Sequence, residues 1–281
     1  MRQRLPRHRL WMMALALLWL MSAGEGVTQA RHVKLGPAPR LTDPQQLLPR
    51  APSAFSATDL GIDLSSRQSV LDAFNMFYVP ALEVPSDWSG DLASCDPGTT
   101  SQAYLDATLQ MVNYFRAMVG LPGVTFDATL NAKAQEAALM MNAQHGLSHN
   151  PPPTWACYTD AGAEAAGHSN LALGSAGPEA IALYIEDPGA GNVSVGHRRW
   201  ILYPPQIEMG VGSTDGPNSQ GFSPGANALW VIGDFGPRPS QPEWIAWPPI
   251  GFVPYQIVSR AGPCRGTGTS SQLISARLLS P

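Results

Sequence analysis

The first part of the chain beyond its leader has apolar residues at helical spacing. Those between residues 101 and 120 fall on one face of a helix, and Ser101 stands where a helix N-cap is expected. Asp127 is placed in the same way before a second, alanine-rich stretch that Gly146 closes. The pattern therefore predicts two adjacent helices that open a folded domain.

Two shorter helices and two strands extend this pattern. The helices are predicted over residues 65–80, where Pro80 ends the first, and over residues 178–185; the strands are predicted over 226–235 and 251–258. Helices that precede strands along the chain are typical of an α+β fold built as a layered sandwich.

Residues 1–30 have the pattern of a secretory signal peptide. Four arginines precede the apolar run from Leu10 to Met21, which is too short to span a bilayer. Small residues permit cleavage after Gly24 or after Ala30. No later stretch has the length and apolar continuity of a transmembrane segment. We therefore expect a secreted or extracellular protein, with the periplasm as an alternative location.

The segment after the signal peptide divides into two parts. Residues 31–64 carry several prolines and little hydrophobic periodicity, which predicts an exposed leader or linker with little order. Residues 65–100 are expected to form an extension that packs on the main domain, which we assign to residues 101–260.

The charge balance argues against one class of partner. The chain has a formal net charge of −4, and removal of residues 1–30 would take away four arginines and one acid. Its only lysines are Lys34 and Lys133. Because phosphate recognition rests on clustered basic side chains, a nucleic-acid partner is not expected.

Strong local signatures of catalysis are missing from the sequence. There is no His-Glu-x-x-His, no Gly-x-Ser-x-Gly, no phosphate-binding loop and no Cys-x-x-Cys. What remains is a scattered set of polar residues in a region rich in Ala, Leu and Gly: His145, His149, His168, Ser169, Glu186, Asp187 and His197.

Two histidines and a carboxylate from this set have two chemical interpretations. Together they would make a three-ligand site for a zinc-like divalent cation with an open position for water. Without a metal, the same groups would hold a proton near neutral pH. His149 could equally bond the last carbonyls of the preceding helix, and His168 is expected in a loop.

Several separated motifs, in this order, resemble the CAP superfamily, also called SCP/TAPS, of cysteine-rich secretory, antigen 5 and pathogenesis-related proteins. The motifs are VNYFRAMVGLPGVTFDATLNAKAQEAALMM, LSHN, AAGHSNLALG, GHRRWILYP and MGVG, and the likeness covers about residues 104–212. Asn113 to Arg116 resemble the Asn-x-x-Arg of the bacterial secreted branch. The resemblance implies a three-layer α-β-α sandwich, here with an N-terminal extension.

The resemblance also implies a central cavity with two histidines and two glutamates, in some members around a divalent cation. The residues that match the first histidine, the second acid and the second histidine are His149, Glu186 and His197. Ser169 replaces the first acid, because His-Ser-Asn stands where relatives have Gly-Glu-Asn. Loss of this carboxylate predicts weaker cation affinity or none, and Asn170 is expected to form a backbone turn.

Members of the superfamily are linked more firmly to binding than to catalysis. Our leading interpretation is a secreted binding module whose cavity takes a small molecule, a lipid or a weakly held divalent cation such as zinc, with an extracellular protein as a further kind of partner. The cavity residues would be His149, Ser169, Glu186 and His197.

Two other functions stay open from the sequence. One is a metal-dependent hydrolase, with His149 and His197 as metal ligands and Glu186 as a ligand or general base. The other is a structural or adhesive extracellular module in which the polar cluster is only a hydrogen-bonded part of the core.

The end of the chain is atypical for the bacterial branch, in which Arg-Trp-Ser and a last strand follow residue 260. We hypothesise that a frameshift produced residues 261–281, which sequencing of the gene would test. Export favours one disulfide among the three cysteines. If the tail is not native, Cys264 is accidental and Cys95 pairs with Cys157.

Overall fold

A five-stranded sheet forms the centre of the folded domain. The computed structural model describes residues 33–41, 60–189, 192–215, 225–240 and 242–258, and the backbone of residues 277–279. The strands are β1 (Lys34–Leu35), β2 (Thr125–Phe126), β3 (Ser169–Leu173), β4 (Glu208–Thr214) and β5 (Ala226–Trp230). Their order is β1-β3-β5-β4-β2, antiparallel except that β2 pairs in parallel with β4. The predicted signal peptide lies outside the described residues.

Helices cover both sides of this sheet. They are α1 (Arg67–Ala73), which continues through a π-helical turn (Phe74–Tyr78) into α2 (Val79–Ala81), then α3 (Gln102–Ala117), α4 (Ala128–Gln144), α5 (Asp160–His168), α6 (Gly177–Glu186) and α7 (Gly196–Ile201). A separate pair of strands, β6 (Phe252–Pro254) and β7 (Arg277–Leu279), is parallel. Among the described helices, none has the length and apolar character needed to cross a membrane.

The two long helices begin at the predicted caps. The Ser101 side chain accepts a hydrogen bond from the Tyr104 amide at 3.2 Å, and the Asp127 side chain accepts one from the Leu130 amide at 2.8 Å. Both cap predictions are therefore confirmed. Helix α4 ends one residue earlier than predicted, because His145 adopts the left-handed conformation expected of Gly146.

Alternation along the strands divides the core into two layers. In β3, Leu171 and Leu173 belong to a cluster with α4 and α5, whereas Ala172 belongs to a cluster with α3 and α6. In β5, Ala228 belongs to the cluster with α4 and α5, and Leu229 belongs to the cluster with α3 and α6. Because successive strand residues face opposite sides, helices lie on both faces of the sheet. The predicted α+β sandwich of three layers is confirmed.

Two glycines of the MGVG motif allow α4 to lie close against β4. A Cβ at Gly210 would come within 2.4 Å of Leu130, and one at Gly212 within 2.2 Å of the α4 backbone. Gln135 strengthens the contact, since its side chain accepts from the Ser213 amide at 2.9 Å and donates to the Ser213 carbonyl at 2.8 Å. The motif is therefore a helix-packing surface.

Aromatic contacts join the segment before α3 to the core. Phe74 stacks on Tyr78 with ring centroids 4.8 Å apart, and Tyr78 contacts Tyr114 and Phe115 of α3. A disulfide between Cys95 and Cys157, with Cα atoms 5.2 Å apart, ties this segment to the loop before α5.

The structure corrects several predictions about elements. Residues 33–41 of the leader were expected to have little order, yet they include β1, which pairs with β3. His168 is the last residue of α5 and does not lie in a loop, and Pro80 lies inside α2. The pattern also missed α5, α7, β2, β3 and β4. Strand β3 escaped detection because all five of its residues are buried, which leaves no polar alternation to read.

Candidate functional site

Asp187 and His197 form the centre of a buried polar network. Asp187 follows the last residue of α6 with a left-handed backbone, φ 46°, and its side chain is buried. One carboxylate oxygen accepts a hydrogen bond from His197 Nδ1 at 2.8 Å. The other accepts from the backbone amides of His197 at 3.1 Å and Arg198 at 3.3 Å. A single carboxylate thus fixes both the ring and the first turn of α7.

Asn192 supports this carboxylate from the loop between the two helices. Its amide nitrogen donates to Asp187 Oδ1 at 2.7 Å, and its amide oxygen accepts from the Val195 backbone at 3.2 Å. Sequence reasoning missed Asn192. The signal was available in part, since Asp and Asn in a glycine-rich segment are residues that organise turns through their side chains.

The His197 ring is held on both its edge and its face. It stacks on Tyr184 with ring centroids 5.6 Å apart and an interplanar angle of 16°, and it is 3% exposed. Its Nε2 atom has no hydrogen-bond partner among the described residues. The Asp187 carboxylate can only accept, so Nδ1 carries a proton, and in the Nδ1–H tautomer of the ring Nε2 is an acceptor. The ring therefore offers one lone pair in a fixed position.

Tyr184 links this ring to the sheet. Its hydroxyl contacts the Asn170 carbonyl at 3.1 Å and Asn227 Oδ1 at 3.0 Å. Burial raises the pKa of Tyr184 well above its ordinary value, so the hydroxyl keeps its proton and remains a donor. Tyr184 was absent from the predicted set because a tyrosine in an apolar helix is normally part of the core.

His149 is engaged through both ring nitrogens. Nδ1 lies 2.7 Å from the Ala166 carbonyl oxygen, and Nε2 contacts the Pro37 carbonyl oxygen. Carbonyl oxygens only accept, so the ring can donate to both only when both nitrogens carry a proton. Both ring nitrogens of His149 therefore face carbonyl oxygens of the protein.

Asn170, and not Ser169, is the β3 residue that contacts the His197 segment. Asn170 Nδ2 donates to the His197 carbonyl at 3.1 Å. The expected backbone turn at Asn170 is wrong, because the residue lies within β3. Strand alternation places Ser169 on the face toward α4, where its buried hydroxyl has no partner among the described residues.

Glu186 and His197 line different cavities. Glu186 is exposed and lines a groove of about 530 Å³ together with Tyr78, Glu179 and Tyr255. His197 instead lines a pocket of about 760 Å³. Asp187 leaves the helical conformation at the end of α6, and only one of these two adjacent acids contacts His197. That acid is Asp187.

The described residues do not fit a three-ligand metal site. No group of three or more His, Cys, Asp or Glu side chains in the described part of the chain could hold a metal ion. The predicted set of His149, Glu186 and His197 is not brought together, and the acid that does meet His197 is already saturated with hydrogen bonds from the protein.

The pocket beside α7 has mixed chemistry. It is lined on one side by residues 35–40 and on the other by Arg199, Trp200 and Tyr203 as well as His197. Trp200 and Tyr203 pack against Phe235, which fixes the aromatic wall. The pocket therefore combines an aromatic surface, the side chain of His197 and a cationic side chain at its rim.

The comparison with protein families agrees with this architecture. Residues 109–235 match the model of CAP, the cysteine-rich secretory protein family. The matched segment begins within α3 and includes α4 to α7 and β2 to β5. The match and the three layers together support a CAP domain in this part of the chain. A search of curated proteins found no match to the chain.

Proposed function

We propose that the chain is a secreted CAP-domain protein of the bacterial branch, and that its pocket beside α7 binds a small ligand through His197 without a metal ion. One observation carries the proposal: the buried Nε2 of a ring that Asp187 and Tyr184 hold in place has no partner among the described residues. A buried acceptor left without a donor costs about 1–3 kcal/mol, which a bound donor would recover.

The pocket chemistry indicates the kind of ligand. Nε2 accepts a hydrogen bond, so the ligand carries a hydroxyl or N–H group. Trp200 and Tyr203 favour a flat or apolar part beside that group, and a volume of about 760 Å³ suits a small organic molecule. A polar small molecule fits these features better than a long lipid chain.

The metal-dependent hydrolase has weaker support. It needs two histidines and an acid around one ion, whereas both ring nitrogens of His149 contact carbonyl oxygens and Glu186 lines another groove. A purely structural module has weaker support as well, because it gives no role to the pocket that His197 and the aromatic side chains of Trp200 and Tyr203 line.

Substitution of His197 by asparagine tests the ligand. Asparagine retains a donor near the position of Nδ1 and so keeps the contact with Asp187, but it removes the Nε2 acceptor. Protein exported into culture medium would be analysed by native mass spectrometry. We expect a bound small molecule on the wild type and its loss in His197→Asn, with Glu186→Gln as the control that retains it. A ligand that stays on His197→Asn would refute the proposal.

Zinc titration distinguishes the proposed metal-free site from the metal-dependent hydrolase. Calorimetry of metal-free protein should give no binding heat, either in the wild type or in His197→Ala. Zinc binding that is present in the wild type and lost in the variant would favour the hydrolase alternative. Mass spectrometry of organic extracts from the purified protein would identify a lipid if one is bound instead.

A further inference from the structure

Residues 33–41, which we call the strap, lie against the domain in the manner of a bound peptide. The strap begins as β1, in which Lys34 is paired with Leu173 and Leu35 with Ala172 on β3. Strand β1 is at the edge of the sheet, so without it β3 would present an unpaired edge. Addition of an extended segment to such an edge is a common mode of peptide recognition.

Two side chains hold the proline-containing half of the strap. The Pro37 carbonyl contacts His149 Nε2, and the Pro39 carbonyl accepts from Trp200 Nε1 at 2.9 Å. The prolines have no N–H of their own, so this stretch offers mainly acceptors to the groove. Donor side chains that read the carbonyls of an extended proline-containing segment are typical of sites for such peptides.

The groove fits closely around one residue of the strap, Ala38. A Cβ on Gly196 would lie only 2.5 Å from the Cβ of Ala38. A Cβ on Gly36, by contrast, would meet Leu147 at an ordinary 3.5 Å. Ala38 therefore fits only because position 196 is glycine, and the pair is complementary in shape.

We propose that the groove between the β3 edge, His149 and α7 is a binding site for an extended peptide with two prolines separated by one small residue. The chain's own strap is its resident occupant, and a segment of the same pattern from another polypeptide binds by displacing it. The inference rests on the contacts of the strap. Residues 35–40 of the strap also line the pocket proposed for the small ligand, so displacement of the strap would open that pocket.

In the free protein the strap occupies the peptide-binding site and competes with any added peptide. A segment tethered to its own site competes at an effective concentration on the order of millimolar. A peptide in solution must therefore exceed that concentration, or the strap must be weakened first.

Gly196→Ala in the full-length chain would weaken the strap selectively. The added methyl group clashes with Ala38 of the strap, and it would also clash with an added peptide of the natural sequence VKLGPAPRL. A peptide with glycine in place of that alanine, VKLGPGPRL, escapes the clash. The double variant Gly196→Ala/Ala38→Gly restores space for the tethered strap and is the matched control.

Fluorescence anisotropy with the two labelled peptides gives the test. We expect Gly196→Ala to bind VKLGPGPRL at least about tenfold more tightly than VKLGPAPRL, and the wild type and the double variant to bind both peptides weakly. Equal binding of the two peptides by Gly196→Ala, or binding of neither by a folded variant, would overturn the proposal.

Limited trypsin digestion provides a second readout on the full chain. Arg40 is an exposed strap residue, so displacement of the strap should speed cleavage after it. We expect faster cleavage in Gly196→Ala and in Trp200→Phe, which removes the N–H donor but keeps an aromatic ring, and wild-type cleavage in the double variant. Unchanged cleavage in both single variants would contradict strap displacement.

Discussion

At the residue scale, the site depends on which of two neighbouring acids meets His197. Both Glu186 and Asp187 belong to the polar set in the sequence, and the family pattern favours Glu186. In the structure it is Asp187 that contacts His197. Asp187 has a left-handed backbone at the end of α6, and its two carboxylate oxygens together accept four hydrogen bonds from His197, Arg198 and Asn192. A carboxylate saturated in this way is an orienting group and not a metal ligand.

Asp187→Asn should therefore lower the stability of the fold. Asparagine offers one oxygen where the network needs two, and its amide group would face N–H donors. We expect a loss of about 2–3 kcal/mol in the free energy of unfolding, measured by chemical denaturation. Glu186→Gln, one position earlier and exposed, should change it by no more than about 0.5 kcal/mol. Similar effects of the two substitutions would show that the Asp187 network is not structural.

At the element scale, α3 is joined to the segment after α7 by a buried arginine. The guanidinium of Arg116 donates to the carbonyl oxygens of four residues: Pro122 at 2.8 Å, Ile201 at 2.8 Å, Tyr203 at 3.0 Å and Gln206 at 3.3 Å. Burial lowers the pKa of Arg116 to about 9, so the side chain remains charged at neutral pH. Its motif partner Asn113 exchanges two hydrogen bonds with the Val124 backbone.

Arg116→Lys should destabilise the fold although it keeps the charge. A lysine ammonium has three donors and cannot reproduce the planar fork that reaches four carbonyls, so some buried acceptors would lose their partner. We expect a loss of about 2–4 kcal/mol in unfolding free energy, with the exposed Arg67→Lys as control. A melting temperature equal to that of the control would argue against this role.

At the scale of the whole molecule, one covalent link joins segments that are distant in sequence. Cys95 and Cys157 are separated by 62 residues and connect the segment before α3 to the loop before α5. The bridge lowers the conformational entropy of the unfolded chain. The strap, which precedes both cysteines in the sequence, adds an edge strand to the sheet.

Replacement of both bridge cysteines by serine should lower stability substantially. A loop of 62 residues corresponds to about 4 kcal/mol of unfolding free energy in the chain-entropy model. Thermal denaturation of Cys95→Ser/Cys157→Ser should show this loss, whereas Cys264→Ser should match the wild type. A Cys264→Ser variant as unstable as the double variant would mean that another pairing operates in solution.

The predictions that succeeded from sequence rest on short-range chemistry. Ser101 and Asp127 cap their helices through hydrogen bonds to an amide three residues later, and such bonds can be inferred from local sequence. Strand β3 could not be recognised in the same way, because burial on both faces removes the alternation that marks a strand. The short helix α7 resembled a core segment, since its apolar residues are too few to define a period.

The sequence by itself determined the helix caps, the α+β class and the motifs that match the CAP family. The tertiary structure alone decided that Asp187 orients His197, that His149 binds the strap, and that the leader supplies a strand of the sheet. The physical reason is one of distance along the chain. Helix caps and periodicity arise among residues a few positions apart, whereas these contacts form only where turns and sheet pairing bring remote segments together.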